Sequence, residues 1–146
     1  MKLFALLCFA AAVTARAESA RIIKVLPSFL DEKGRHALHP SLYERDAYQS
    51  KLRRNPQLRS ALRFDVQWKV SGAEQVKIRV EARGNKEGQP QQAVIETTAK
   101  KPALFSRWTQ LKLDGAAYKQ FGELAAWRVT VWSGDQQLAE QKSFLW

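Results

Sequence analysis

An antiparallel β-sandwich is the fold class this sequence predicts, and three observations predict it. Apolar and polar residues alternate over several short stretches, most cleanly over Leu62–Val70 and over Val76–Arg83. Turn signals such as Ser71-Gly72-Ala73-Glu74 and Ser133-Gly134-Asp135-Gln136 separate those stretches. Helical patterning is confined to one substantial segment, so the βαβ alternation of a parallel sheet is missing.

The N-terminus reads as a secretory signal. Lys2 precedes an apolar run from Leu3 to Val13, and Thr14-Ala15-Arg16-Ala17 supplies a small-x-small cleavage site. Cleavage after Ala17 is expected, leaving residues 18–146 as a single β-sandwich domain. The run is too short for a membrane span, which needs about 20 apolar residues. Cys8 sits in a loose lipobox, Ala5-Leu6-Leu7-Cys8, but cleavage there leaves only Leu3–Leu7 as the apolar region. Removing residues 1–17 takes Lys2, Arg16 and the only cysteine, and lowers the formal charge from +10 to +8. A cysteine-free exported chain with no Asn-x-Ser/Thr site points to a bacterial envelope or periplasm. The export signal also argues against nucleic acid, the default partner for a cytosolic chain of this charge.

Arg21–Leu30 is the first expected strand, and Pro27 within it implies a sheet edge or a bulge. Asp31-Glu32-Lys33-Gly34 turns the chain. Ser41-Leu42-Tyr43-Glu44 has the pattern of a capping box, so a helix is expected over Leu42–Arg54, stopped by Asn55-Pro56. Tyr43 with Ala47, and Tyr48 with Leu52, are spaced to share its buried face. Strands follow at Leu62–Val70, Gln75–Arg83, Ala93–Ala99 and Arg107–Leu113, then a short helical turn through Tyr118 and Phe121. Ala126–Trp132 and Leu138–Leu145 form a closing hairpin, with Phe144-Leu145-Trp146 packed on sheet.

Seven strands, the tryptophan at position 68 on an early strand and the long last hairpin resemble an immunoglobulin-like or fibronectin type III-like domain. The resemblance spans about Arg21–Trp146 and implies a sandwich with Leu42–Arg54 as an inserted helix. It implies no particular activity.

His36 and His39, the only histidines, lie three apart. In an extended segment before Pro40 they point to opposite faces, so no metal site is expected. Asp65 and Glu81 are expected outward on adjacent strands, paired with Lys69, Lys77 or Arg79. The sequence has no nucleophile elbow and no recognisable acid pair in a cleft, and nothing in it calls for a cofactor. Two binding surfaces are expected instead. Lys51, Arg53, Arg54, Arg59 and Arg63 cluster around the helix end and suit an anionic glycan or lipopolysaccharide. Trp132, Phe144 and Trp146 fall on one face if a three-residue turn sets the register of the closing hairpin, and the helix is expected to cover part of them.

The function these features imply is an exported, non-catalytic binding or structural module of the bacterial cell envelope. It would contact an anionic surface or an envelope protein. The rivals are a small secreted hydrolase or carbohydrate-active enzyme with an unannounced site, and an accessory subunit that lends an edge strand to a partner.

Overall fold

The computed structural model describes residues 16–146. The expected signal segment, residues 1–17, lies outside the described residues except for its last two. Among the described residues seven strands form two antiparallel sheets. β1 (Ser19–Asp31), β2 (Arg59–Ser71) and β5 (Arg107–Leu113) make one, in the order β1-β2-β5. β3 (Gln75–Lys86), β4 (Gln89–Lys100), β6 (Glu123–Ser133) and β7 (Gln136–Lys142) make the other, in the order β4-β3-β6-β7. α1 (Leu42–Arg54) connects β1 to β2, followed by a 3₁₀ turn at Pro56–Leu58, and α2 (Gly115–Phe121) connects β5 to β6. The chain is a β-sandwich with an inserted helix. Its fourth strand lies beside the third, whereas the constant-type immunoglobulin order places that strand in the sheet of the first two.

Alternation explains the core. Leu62, Phe64, Val66 and Trp68 from β2 meet Val76, Ile78 and Val80 from β3 and Val129 and Val131 from β6, all at 0–1% exposure. Trp68 is closed in completely, and its Nε1–H donates to Thr109 Oγ1 at 2.9 Å, so its one polar atom is satisfied. β2 and β3 follow each other through Gly72-Ala73-Glu74 yet lie in opposite sheets. Asp65 and Glu81 are therefore not neighbours, which corrects the expectation from sequence: Asp65 pairs with Arg63 and Glu81 with Arg128.

α2 docks on β3 by close backbone approach. Gly122 ends it at φ 75, and a Cβ there would lie 2.1 Å from the Asn85 carbonyl oxygen. The Phe121 ring lies against Gly84, where a Cβ would come within 2.8 Å of the ring edge. Gly84 also sits at a register shift between β3 and β6, the use a strand glycine commonly has.

α1 is held by polar contacts more than by an apolar stripe. Ser41 Oγ caps it by accepting from the Glu44 N–H at 3.2 Å. Tyr48, Gln49 and Leu52 are buried, while Leu42, Tyr43 and Ala47 are exposed, so the expected Tyr43–Ala47 pair is not part of the buried face. The Gln49 amide accepts from Phe29 N–H at 2.8 Å and donates to the Phe29 carbonyl at 3.0 Å and to the His36 carbonyl at 2.7 Å. Among the described residues β1 pairs only with β2, as Pro27 implied.

Tyr48 O–H donates to Asp31 Oδ2 at 2.6 Å, and the Arg35 Nε–H donates to the same oxygen at 2.8 Å. The N–H groups of Lys33 and Arg35 both donate to Asp31 Oδ1 at 2.9 Å. Burial alone would push the Asp31 carboxyl up; the hydrogen bonds from Tyr48, Arg35 and Lys33 outweigh it and hold it at about 2. The bond to Asp31 in turn raises Tyr48, helped by burial. This carboxylate ties the β1 turn to α1.

Candidate contact face on the four-stranded sheet

The outward face of the four-stranded sheet carries an ordered lattice of cations, acids and tryptophans. Cross-strand register fixes its rows. Lys77 faces Thr98 and Trp132; Arg79 faces Glu96 and Thr130; Glu81 faces Val94 and Arg128; Arg83 faces Gln92 and Ala126. Glu140 and Lys142 extend the second and third rows on β7.

Most charged groups have a partner in this lattice. Arg128 binds Glu81 through two guanidinium nitrogens, Nε to Oε2 at 2.9 Å and NH2 to Oε1 at 3.0 Å. It also reaches Glu140 at 3.8 Å. Arg79 binds Glu96 through Nε, with Lys77 at 4.0 Å from the other Glu96 oxygen. Such half-exposed pairs add little stability individually, but the two-pronged geometry fixes orientation.

The tryptophans lie on the guanidinium groups. The Arg79 guanidinium sits 5.5 Å from the Trp132 ring centre, and Trp132 Nε1–H donates to the buried Thr130 hydroxyl at 2.8 Å. Arg83 and Arg128 lie 3.9 and 4.9 Å from the Trp146 ring centre. What places Trp146 there is a turn: Ser143 N–H donates to the Trp127 carbonyl at 2.9 Å, and Trp146 N–H donates to the Ser143 carbonyl at 3.2 Å. The Trp127 N–H donates in return to Ser143 Oγ at 2.9 Å. Trp132 and Trp146 thus mark two ends of a stripe six positions long on β3, about 20 Å at strand rise. Val94, 62% exposed, adds an apolar element between them.

The hairpin register comes out as the three-residue turn would give it, by a different route. The turn is the two-residue Gly134-Asp135, with Ser133 opposite Gln136. A bulge at Leu138 then shifts the pairing, so Val131 faces Ala139 and Val129 faces Gln141. β7 ends at Lys142, and Phe144 and Leu145 project into solvent, so of the three closing residues Trp146 alone packs on the sheet. Nor does α1 cover the tryptophans: it packs beside β1, on the Phe29 edge of the other sheet. Arginine side chains of the same sheet pack against them instead.

The five basic residues expected near the helix end are not one patch. Lys51, Arg53 and Arg54 are exposed at the end of α1. Arg59 is buried, its side chain 2% exposed. It donates to the Leu52 carbonyl at 2.5 Å, to the Arg53 carbonyl and to Glu123 at 2.6 Å, and its guanidinium lies 4.3 Å from the Phe29 ring centre. It closes the C-terminus of α1 and is not available to a ligand. Arg63 is partly buried and paired with Asp65 at 2.8 Å on the outer face of the three-stranded sheet.

His36 and His39 lie in the connection between β1 and α1, and share an open cleft with Arg45. Burial, then the charge of Arg63, lowers the His36 pKa. Among the described residues no group of three or more His, Cys, Asp or Glu is placed to hold a metal. Asp31, Lys33, Arg35, Tyr48 and Lys51 line another open cleft of about 260 Å³. Its carboxylate is held ionised with both oxygens occupied, which suits an anchor and not a proton donor at neutral pH.

No protein-family model matches the chain, and no curated protein matches it in sequence. Among solved structures, one from Akkermansia muciniphila is similar over 87% of this chain and 70% of that chain, with a TM-score of 0.54 and 9% identity. At that identity the likeness concerns the fold alone. Among the described residues no helix is long and apolar enough to cross a membrane.

Proposed function

We propose that this chain is an exported, non-catalytic binding module of the bacterial cell envelope, and that the outer face of its four-stranded sheet holds an envelope protein. The observation that supports this is the order of that face before any partner arrives. Trp132, Trp146, Arg79, Arg83 and Arg128 are already stacked or paired. Tryptophan and arginine are the residues that most often carry interface energy, and side chains held in place lose less entropy on binding. The signal-peptide pattern of residues 1–17 and the cysteine-free remainder support the envelope location.

A second reading, contact with an anionic glycan or lipopolysaccharide, is favoured by Lys51, Arg53 and Arg54, which are exposed in the last turn of α1, a turn that carries no acidic residue. The two are separable. Purified chain with Val94→Glu and Trp146→Ala should lose its envelope partner in co-purification and keep its retention on heparin. Chain with Lys51, Arg53 and Arg54 replaced by Gln should do the reverse. A partner held equally well by the Val94→Glu, Trp146→Ala chain contradicts the sheet-face reading.

A further inference from the structure

The β4–β5 connection, Lys101–Ser106, lies at the end of the sandwich away from Trp146 and belongs to neither surface above. It presents two adjacent apolar side chains to solvent, Leu104 at 76% and Phe105 at 90% exposure. The loop is fastened at both feet. Lys101 N–H donates to the Glu74 carbonyl at 2.8 Å, and Gln67 Nε2 donates to Ser106 Oγ at 3.1 Å. The apolar tip is therefore presented by a held loop, and Trp108, 47% exposed, follows directly on β5.

Cations ring the tip. Arg21 and Lys69, paired across β1 and β2, line a cleft together with Phe105. Lys100, Lys101 and Arg107 flank the loop, and Arg107 NH1 donates to the Lys100 carbonyl at 3.4 Å. No acid occurs between Glu96 and Asp114. The acids at this end are Glu74, 3.5 Å from Lys101 Nζ, Glu18 beside Gly72, and Asp135 in the β6–β7 turn. The cations outnumber them.

We propose that this end of the molecule docks on an anionic lipid surface. Leu104 and Phe105 enter the interfacial layer, Trp108 sits at headgroup depth, and Arg21, Lys69, Lys100, Lys101 and Arg107 meet lipid phosphates. Apolar tips with a basic surround bind membranes by adding buried apolar area to attraction toward anionic headgroups. Tryptophan favours that depth because its ring is apolar and its N–H is polar. A protein partner fits less well, since a stable protein interface takes about 800 Å² from each side and the tip is two side chains. A second copy of the chain would bring two cation rings together.

The test is co-sedimentation of the full mature chain with vesicles at about 0.15 M salt. Vesicles of phosphatidylglycerol mixed with phosphatidylethanolamine should carry the protein down, and pure phosphatidylcholine vesicles should not. Leu104→Ser with Phe105→Ser should cut the bound fraction at least tenfold, and Lys100→Gln with Lys101→Gln should weaken it and flatten its salt dependence. Both pairs are on the surface, so unchanged thermal unfolding shows that folding is intact. Failure to bind phosphatidylglycerol vesicles overturns the proposal, as does binding that the Leu104→Ser, Phe105→Ser chain retains. Binding abolished by millimolar inorganic phosphate points to a free-phosphate site and overturns it too. So does a loop variant that loses an envelope protein while no chain binds vesicles. The sheet-face reading stands or falls separately, because Val94→Glu leaves this end untouched.

Discussion

The side-chain amide of Gln49 bonds both backbone groups of Phe29, accepting from its N–H at 2.8 Å and donating to its carbonyl at 3.0 Å. Among the described residues β1 has no strand on that side, and one glutamine from α1 supplies these bonds locally. An uncovered edge is a template for unwanted pairing, and this contact closes part of it. Replacing Gln49 with Met keeps the volume and leaves buried Phe29 groups unpaired. The expected loss is about 2–4 kcal/mol, since each orphaned buried group costs about 1–3 kcal/mol. Denaturant unfolding measures it, and amide exchange at Phe29 should quicken. An unchanged midpoint would show that the contact is incidental.

Asp31 gives a pH signature with a definite sign. Its carboxyl is held at about 2 in the folded chain, below the ordinary carboxylate value near 3.8. A lowered folded pKa contributes stability that is present above about pH 4 and is lost as pH falls toward 2. Asp31→Asn should lower stability at pH 7 by about 1–3 kcal/mol, by removing charge-assisted bonds from Tyr48 and Arg35. It should also flatten stability between pH 4 and pH 2 relative to the parent. Urea unfolding across that range is the measurement; parallel curves for the two chains would exclude the assignment.

Arg59 separates charge from structure. Arg59→Ala leaves the Leu52 and Arg53 carbonyls without their guanidinium donor, so a destabilisation of about 2–4 kcal/mol is expected in thermal or chemical unfolding. Lys51, Arg53 and Arg54 replaced by Gln should leave unfolding within about 0.5 kcal/mol. Equal stability effects for the two variants would contradict the burial of Arg59.

Gly122 is required twice over, by its φ of 75 and by the Asn85 oxygen 2.1 Å from where a Cβ would sit. Gly122→Ala should cost about 2 kcal/mol or more, because the β3–α2 contact must shift to admit it. A calorimetric melting temperature unchanged within a degree would contradict this.

These residues also show what the sequence could and could not convey. Strand content was legible because alternation is local: β5 runs over Arg107–Leu113 and α1 over Leu42–Arg54 as periodicity and the Ser41 cap implied. Sheet membership was not. Alternation says which way Asp65 and Glu81 face, but not that Gly72-Ala73-Glu74 carries the chain across to the other sheet. The register of β7 depended on a bulge at Leu138, which no pattern of apolar residues marks. Arg59 read as one more surface cation because its partners, Phe29 and Glu123, are distant in sequence. Trp132 and Trp146 could be placed on one face only by assuming a register, with α1 expected over part of them; the arginines that pack against them come from β3 and β6 and emerged only with the pairing.

The most direct measurement of the sheet-face assignment is site-specific photocrosslinking in intact envelopes. A benzophenone amino acid is placed at Val94, on the outer face of the four-stranded sheet, or at Lys112, on β5 of the other sheet. The expected result is one discrete adduct from position 94 that disappears with Trp146→Ala, and none from position 112. No adduct at 94, or the same adducts at both positions, would contradict a partner surface on this face.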